Sequence, residues 1–148
     1  MATEAFEDFL KKKKEEDKKV DWEGRRNKWI KTVNDFYNNI HKWLYPFVSQ
    51  SLLQIKIKEI LVSEEYIGSY KLNRLDISIG NDVISLIPRG TLILGSYGRI
   101  DMKGPKGDKI IVEQKWNEWR FVTKTAKREL WDVNEESFKA AIQDLANG

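Results

Sequence analysis

Cysteine is absent from the 148 residues, and histidine occurs once. Without cysteine the chain can form no disulfide, no thiolate metal site and no cysteine nucleophile. A single histidine, His41, excludes every multi-histidine metal centre. Neither a GxxxxGK nor a GxGxxG motif occurs, so no glycine-rich loop is set up to cradle phosphates. No run approaches the ~18 to 20 consecutive apolar residues of a membrane span. The acidic opening, residues 1–8, lacks the apolar stretch of a signal peptide. These absences predict a cytoplasmic protein off the membrane, with no catalytic residue, no metal and no cofactor.

Charge and aromatic residues are plentiful. Twenty-six basic residues face 23 acidic ones, a net charge of +3. So small an excess attracts nucleic acid only where it is clustered. The densest run, Lys11 to Lys14, is followed at once by Glu15, Glu16 and Asp17. On a helix Lys11, Lys12 and Lys13 stand four residues before these carboxylates, which reads as a solvated, self-neutralising face. Arg25, Arg26, Lys28 and Lys31 have fewer acidic neighbours and form the better candidate for an anionic partner.

Three zones follow from the periodicity. Phe6, Phe9 and Leu10 make a short stripe on an opening helix, after which charge takes over. Residues 1–20 therefore read as a loosely attached charged helix or arm. Asp21 suits an N-cap. Beyond it Trp22, Arg26, Trp29, Val33, Phe36, Ile40 and Trp43 recur at intervals of three and four, widened by Ile30, Tyr37 and Leu44. That spacing predicts a long amphipathic helix, ended by Pro46 because the residue before proline is pushed out of helical geometry.

From residue 51 to 133 the pattern changes to alternation, the signature of half-buried strands. The expected strands run over 53–62, broken near Glu59, and over 70–79, with a slip near Asn73 and Arg74. A third covers 83–87, closed by Pro88-Arg89-Gly90. A kinked fourth covers 91–94 and 99–103, and three more cover 109–115, 119–125 and 129–133. Short connections imply antiparallel neighbours in a meander. Asn134 then caps a closing helix whose apolar face is Phe138, Ala141, Ile142 and Leu145. The fold class is α+β in one domain spanning 1–148: N-terminal helices, one of them long and amphipathic, an antiparallel sheet of six to seven strands, and a C-terminal helix.

Chemistry is harder to find. His41 has a carboxylate, Asp35, nearby on its helix but no serine to activate. Asp76, Asp82, Asp101 and Asp108 are scattered, without a calcium-loop pattern. Arg99 and Asp101 lie two apart on a strand and share a face, so they form either an anchoring pair for a partner or an ordinary charged face. Trp116 and Trp119 flank a turn near Lys115, Arg120, Lys124, Lys127 and Arg128, which resembles a base-stacking platform. Trp119 and Phe121 alternate with Arg120, however, so aromatics and cations look opposite ways.

The nine large apolar side chains of the long helix's stripe, each worth roughly 1.5 to 3 kcal/mol when buried, must pack on the chain's own sheet or on another protein. The expectation is a non-enzymatic accessory subunit or adaptor that docks on a protein partner, or on a copy of itself, through an aromatic helix face or a sheet edge. The candidate partner-binding residues are Trp22, Arg25, Arg26, Trp29, Arg99 and Asp101. The alternative is a nucleic-acid binder using basic residues of the N-terminal helices.

Overall fold

The computed structural model describes residues 2–18, 21–91, 97–123 and 129–147. Helix α1 (Ala2–Lys18) precedes helix α2 (Trp22–Ser49). Strands β1 (Gln54–Glu64), β2 (Gly68–Ile79), β3 (Asp82–Gly90), β4 (Gly98–Gly104), β5 (Gly107–Lys115), β6 (Glu118–Val122) and β7 (Leu130–Asp132) follow, and helix α3 (Glu135–Leu145) closes the chain. The strands form one seven-stranded sheet in sequence order, every neighbour antiparallel, which is the α+β meander the alternation predicts.

Asp21 caps α2, its side chain accepting a hydrogen bond from the Gly24 N–H at 2.8 Å. A Cβ on Gly24 would lie 2.3 Å from that same carboxylate, so glycine at this position lets the cap close. The α2 stripe of Trp29, Val33, Phe36, Tyr37, Ile40 and Leu44 is buried. It covers one face of the sheet, against Leu75, Ile77, Ile84, Leu86, Ile100, Met102, Ile111 and Trp119. Phe36 stacks on Trp119 with centroids 4.5 Å apart, and Phe138 of α3 meets Phe36 edge-on at 6.5 Å. The long helix thus spends its apolar face on its own sheet. The Tyr37 hydroxyl donates to the Asn73 carbonyl at 2.8 Å, and burial together with the Asp76 charge holds it protonated far above the usual tyrosine range.

Pro46 does not end α2. The helix continues to Ser49 with the proline inside it. Only the last turn lies beyond, so the missing N–H removes one late hydrogen bond instead of breaking a continuing ladder. Phe47 packs against the core, while the Ser49 hydroxyl and the Gln50 amide both donate to the Pro46 carbonyl, at 2.9 and 2.8 Å.

Two further corrections concern strands. Pro88 and Gly90 lie inside β3, and the extra residue Arg89 is absorbed by a register shift opposite Ile100 and Arg99. A bulge tolerates the proline that a regular central strand would reject. The proposed limb at 91–94 is described only at Thr91, the rest lying outside the described residues, as do 124 and 125 of the sixth strand. The expected interruptions at Glu59 and at Asn73–Arg74, by contrast, do not break the ladder, because β1 and β2 keep one register from Gln54↔Ser78 to Glu64↔Gly68. What changes is the buried side: Leu75 and Ile77 are buried in one half of β2, Tyr70 and Leu72 in the other. A strongly twisted two-stranded ribbon turns a different face to the core along its length.

Asn134 caps α3 in a reciprocal pair with Ser137, and Phe138, Ala141, Ile142 and Leu145 are buried as their spacing predicts. Every α1 side chain described is exposed. Lys11 pairs backward with Glu7 at 3.4 Å, the favourable order along a helix, in place of the forward pairing expected with Glu15. Among the described residues no helix is long and apolar enough to cross a membrane.

Candidate docking surfaces

The first turns of α2 gather three of the residues singled out in the sequence. Trp22 stacks on Tyr66, at the tip of the β1–β2 hairpin, with centroids 5.6 Å apart. The Arg25 guanidinium lies 5.9 Å from the Trp22 ring and donates to the Thr91 carbonyl at 2.5 Å. Thr91 in turn donates from its N–H and its hydroxyl to Glu64, at 2.6 and 3.1 Å, and Glu64 also accepts from the Tyr70 hydroxyl. Burial and this bond to Glu64 keep Tyr70 protonated well above the ordinary range. Gly90 makes the corner, because its φ is +146° and a Cβ there would lie 2.6 Å from Glu64 Oε1. Arg26 faces Glu23 at 3.8 Å on the helix surface.

Trp29 sits one turn on and is 1% exposed. A methyl group on Gly98 would lie 2.2 Å from its ring, so glycine lets the indole lie against β4. Its neighbour Glu113 is fully buried in the cross-strand row Gly98–Glu113–Trp119. One oxygen of Glu113 accepts from the Asn117 N–H at 2.9 Å, whereas Glu113 Oε1 and Trp29 Nε1 are buried with no hydrogen-bond partner among the described residues. Burial pushes the Glu113 carboxyl up to about 7, against the opposing pull of the Asn117 hydrogen bond and the Lys28 charge. Above this group Trp116 stacks on Tyr97 at 4.2 Å, and the Lys28 ammonium lies 3.2 Å from the Trp116 ring centre.

Arg99 and Asp101 do share a face, the one turned away from α2. Arg99 Nε donates to Asp101 at 2.7 Å, and Arg89 from the β3 bulge holds the other oxygen at 2.8 Å. Asp76 is held likewise by Arg74 at 2.9 Å, with Lys58 at 4.0 Å. Arg99 is thus engaged within its own sheet. Arg89 escaped the sequence reading because only the bulge aims it at Asp101. His41 is exposed on α2. Among the described residues no group of three or more histidines or carboxylates is placed to hold a metal.

A separate opening lies at the β6–β7 edge. A trench of about 430 Å³ runs between α3 and the β6–β7 edge, lined by Phe121, Val122, Trp131, Ala140 and Ala141, with Lys109 and Asp144 at its rim. Lys109 and Asp144 pair at 3.1 Å. Trp131, on the outermost strand, is 56% exposed. Thr123 and Val133 donate main-chain bonds to Glu129 and Trp119, respectively. Antiparallel alternation therefore turns the N–H and C=O of Leu130 away from β6, and those of Asp132 likewise. The Asp132 carbonyl takes the Ser137 hydroxyl at 2.7 Å. The signal for this place in the sequence is the apolar Leu130-Trp131 pair on a short last strand, whose local pattern does not show what covers it. Comparison with known proteins finds no matching family model, no matching curated protein and no matching solved structure.

Proposed function

We propose that the chain is a non-catalytic protein-docking module that receives an extended segment of a partner along β7. The observation behind this reading is Trp131, more than half exposed at a strand edge whose Leu130 main-chain groups point outward, beside an apolar trench. Strand addition uses these two elements together: main-chain bonds supply affinity, and a pocket for alternate side chains supplies selectivity. The partner segment is extended, with an apolar side chain directed at Phe121 and Ala141.

Nucleic acid is the weaker alternative. Exposed Tyr66, Tyr97 and Trp116 near Arg25, Arg26 and Lys28 suit base stacking. Yet Arg25 is bound to the Thr91 carbonyl, Lys28 lies on Trp116, and Lys31 faces Asp35 at 3.7 Å.

Selection of a displayed random-peptide library on the whole chain tests the reading. Selected peptides should lose at least tenfold in affinity on Trp131→Ala. They should lose as much on Leu130→Pro, which removes one edge donor where proline is tolerated. Peptides that bind both variants undiminished would overturn the assignment. So would an empty selection accompanied by salt-sensitive binding of a single-stranded oligonucleotide.

A further inference from the structure

The opposite edge of the sheet is built differently. Strand β1 is eleven residues long, and in the described sheet it has a neighbour, β2, on one side only. Its exposed apolar residues are Ile57, 56% exposed, and Leu61, 68% exposed. With no shift in the β1–β2 register, residues 57, 59 and 61 stand on one face of the ribbon. Native sheets usually blunt such an edge with lysine. Here Lys56 and Lys58 supply that guard on one face of β1 only, Lys58 leaning to Asp76 at 4.0 Å; on the other face Glu59 pairs with Lys71 of β2 at 3.4 Å.

We propose that β1 pairs antiparallel with β1 of a second copy about a two-fold axis at Glu59, joining the two sheets into one. The register follows from the sequence of the strand. A two-fold antiparallel ladder must match outward-facing residues with outward-facing residues, so the paired numbers sum to an even value. Centring on Glu59 pairs all eleven residues. It sets Ile57 against Leu61 twice, closing the four exposed apolar side chains into two cross-strand pairs that flank the Glu59 pair. On the other face Lys56 meets Val62 and Lys58 meets Ile60, where lysine stems lie along apolar neighbours with their heads in water. The two Glu59 carboxylates face each other across the axis, each with its own Lys71 beside it. Registers centred nearer the hairpin tip would need Glu64 as an ion-pair partner, and Glu64 is already turned inward to Tyr70 and Thr91. Because the same patch serves both copies, the assembly closes at two. Peptide docking at β7 uses the other edge, so this proposal does not rest on that reading.

The cysteine-free chain makes the test direct, since one introduced thiol is the only thiol. Glu59→Cys should form an interchain disulfide in most of the protein under mild oxidation, because its partner is itself. Gln143→Cys, exposed on α3, measures collisional crosslinking and should give little. Leu61→Cys alone should remain mostly uncrosslinked, and an equimolar mixture with Ile57→Cys should crosslink. By light scattering the unmodified chain should have twice the monomer mass and the Leu61→Lys variant the monomer mass. Three results would each overturn the proposal: a monomer at the highest attainable concentration, a mass above two copies, or Glu59→Cys crosslinking no better than Gln143→Cys.

Discussion

Two glutamates show how differently this fold treats the same side chain. Glu64, at the end of β1, accepts from the Thr91 N–H, the Thr91 hydroxyl and the Tyr70 hydroxyl. Glu113, on β5, is fully buried, accepts one backbone N–H and has one oxygen without a partner among the described residues. An ionised carboxylate withdrawn from water is stabilised only by donors that reach it. Glu64 is therefore a cross-link, tying β1, β2 and the end of β3 beneath α2. Glu113 instead has its carboxyl pushed up to about 7 and is held most comfortably as the neutral acid. One fastens the fold. The other makes it sensitive to pH.

The largest effect expected from breaking this comparison is on the Glu64 side. Glu64→Ala leaves the Thr91 N–H and the Tyr70 hydroxyl without their acceptor, and both residues are buried. Each stranded donor costs about 1 to 3 kcal/mol, so urea unfolding should show a loss of about 3 kcal/mol. Tyr70→Phe, which removes one donor and leaves the acceptor its two Thr91 donors among others, should lose about 1 kcal/mol.

Glu113 carries a smaller effect and a reversed pH sense. Its folded value lies above the ordinary 4.5, so the native state holds the proton more tightly than the unfolded chain does. Stability on its account is full at acid pH, falls as pH rises from about 4.5 to about 7, and is flat beyond. Each unit of difference corresponds to about 1.4 kcal/mol. Glu113→Gln should flatten that slope and unfold about 1 to 2 kcal/mol harder than the parent at pH 8, with little difference at pH 5. A parent whose stability rises from pH 5 to pH 8, with Glu113→Gln rising alike, would remove Glu113 from this role.

How much of this could be read beforehand follows the range of the interactions. The apolar spacing of α2, the caps at Asp21 and Asn134 and the strand alternation are local, and they placed the helices and the meander in order. Pro46 and Pro88 misled because what accommodates each lies beyond the local rule: packing of Phe47 in one case, a bulge opposite β4 in the other. Residue type and local spacing mark the partner-binding candidates, and the structure distributes them. Trp29 is in the core, Arg25 is on a carbonyl, and Arg99 is on Asp101. Glu113 carried no signal at all, since Val112-Glu113-Gln114 alternates like any half-exposed strand. Only Trp29, reaching across from α2 onto Gly98, turns that position into an interior one.

The smallest effect sharpens the account of Glu113 from outside. Lys28 is exposed, lies over Trp116, and its positive charge favours the ionised form of Glu113. Lys28→Met keeps an unbranched, helix-compatible chain over the ring but removes the charge. The cation–π contact is worth about 0.5 to 1 kcal/mol at an exposed site, so the stability change at pH 5, where Glu113 is neutral, should be no larger than that. At pH 8 the loss should be greater, because the buried carboxylate then ionises without its nearby cation. The titration of Glu113, followed through its side-chain carboxyl resonance, should move above its parent value. An equal loss at both pH values with an unmoved titration would mean that Lys28 acts on Trp116 alone, leaving the Asn117 N–H as the one group that eases the buried charge.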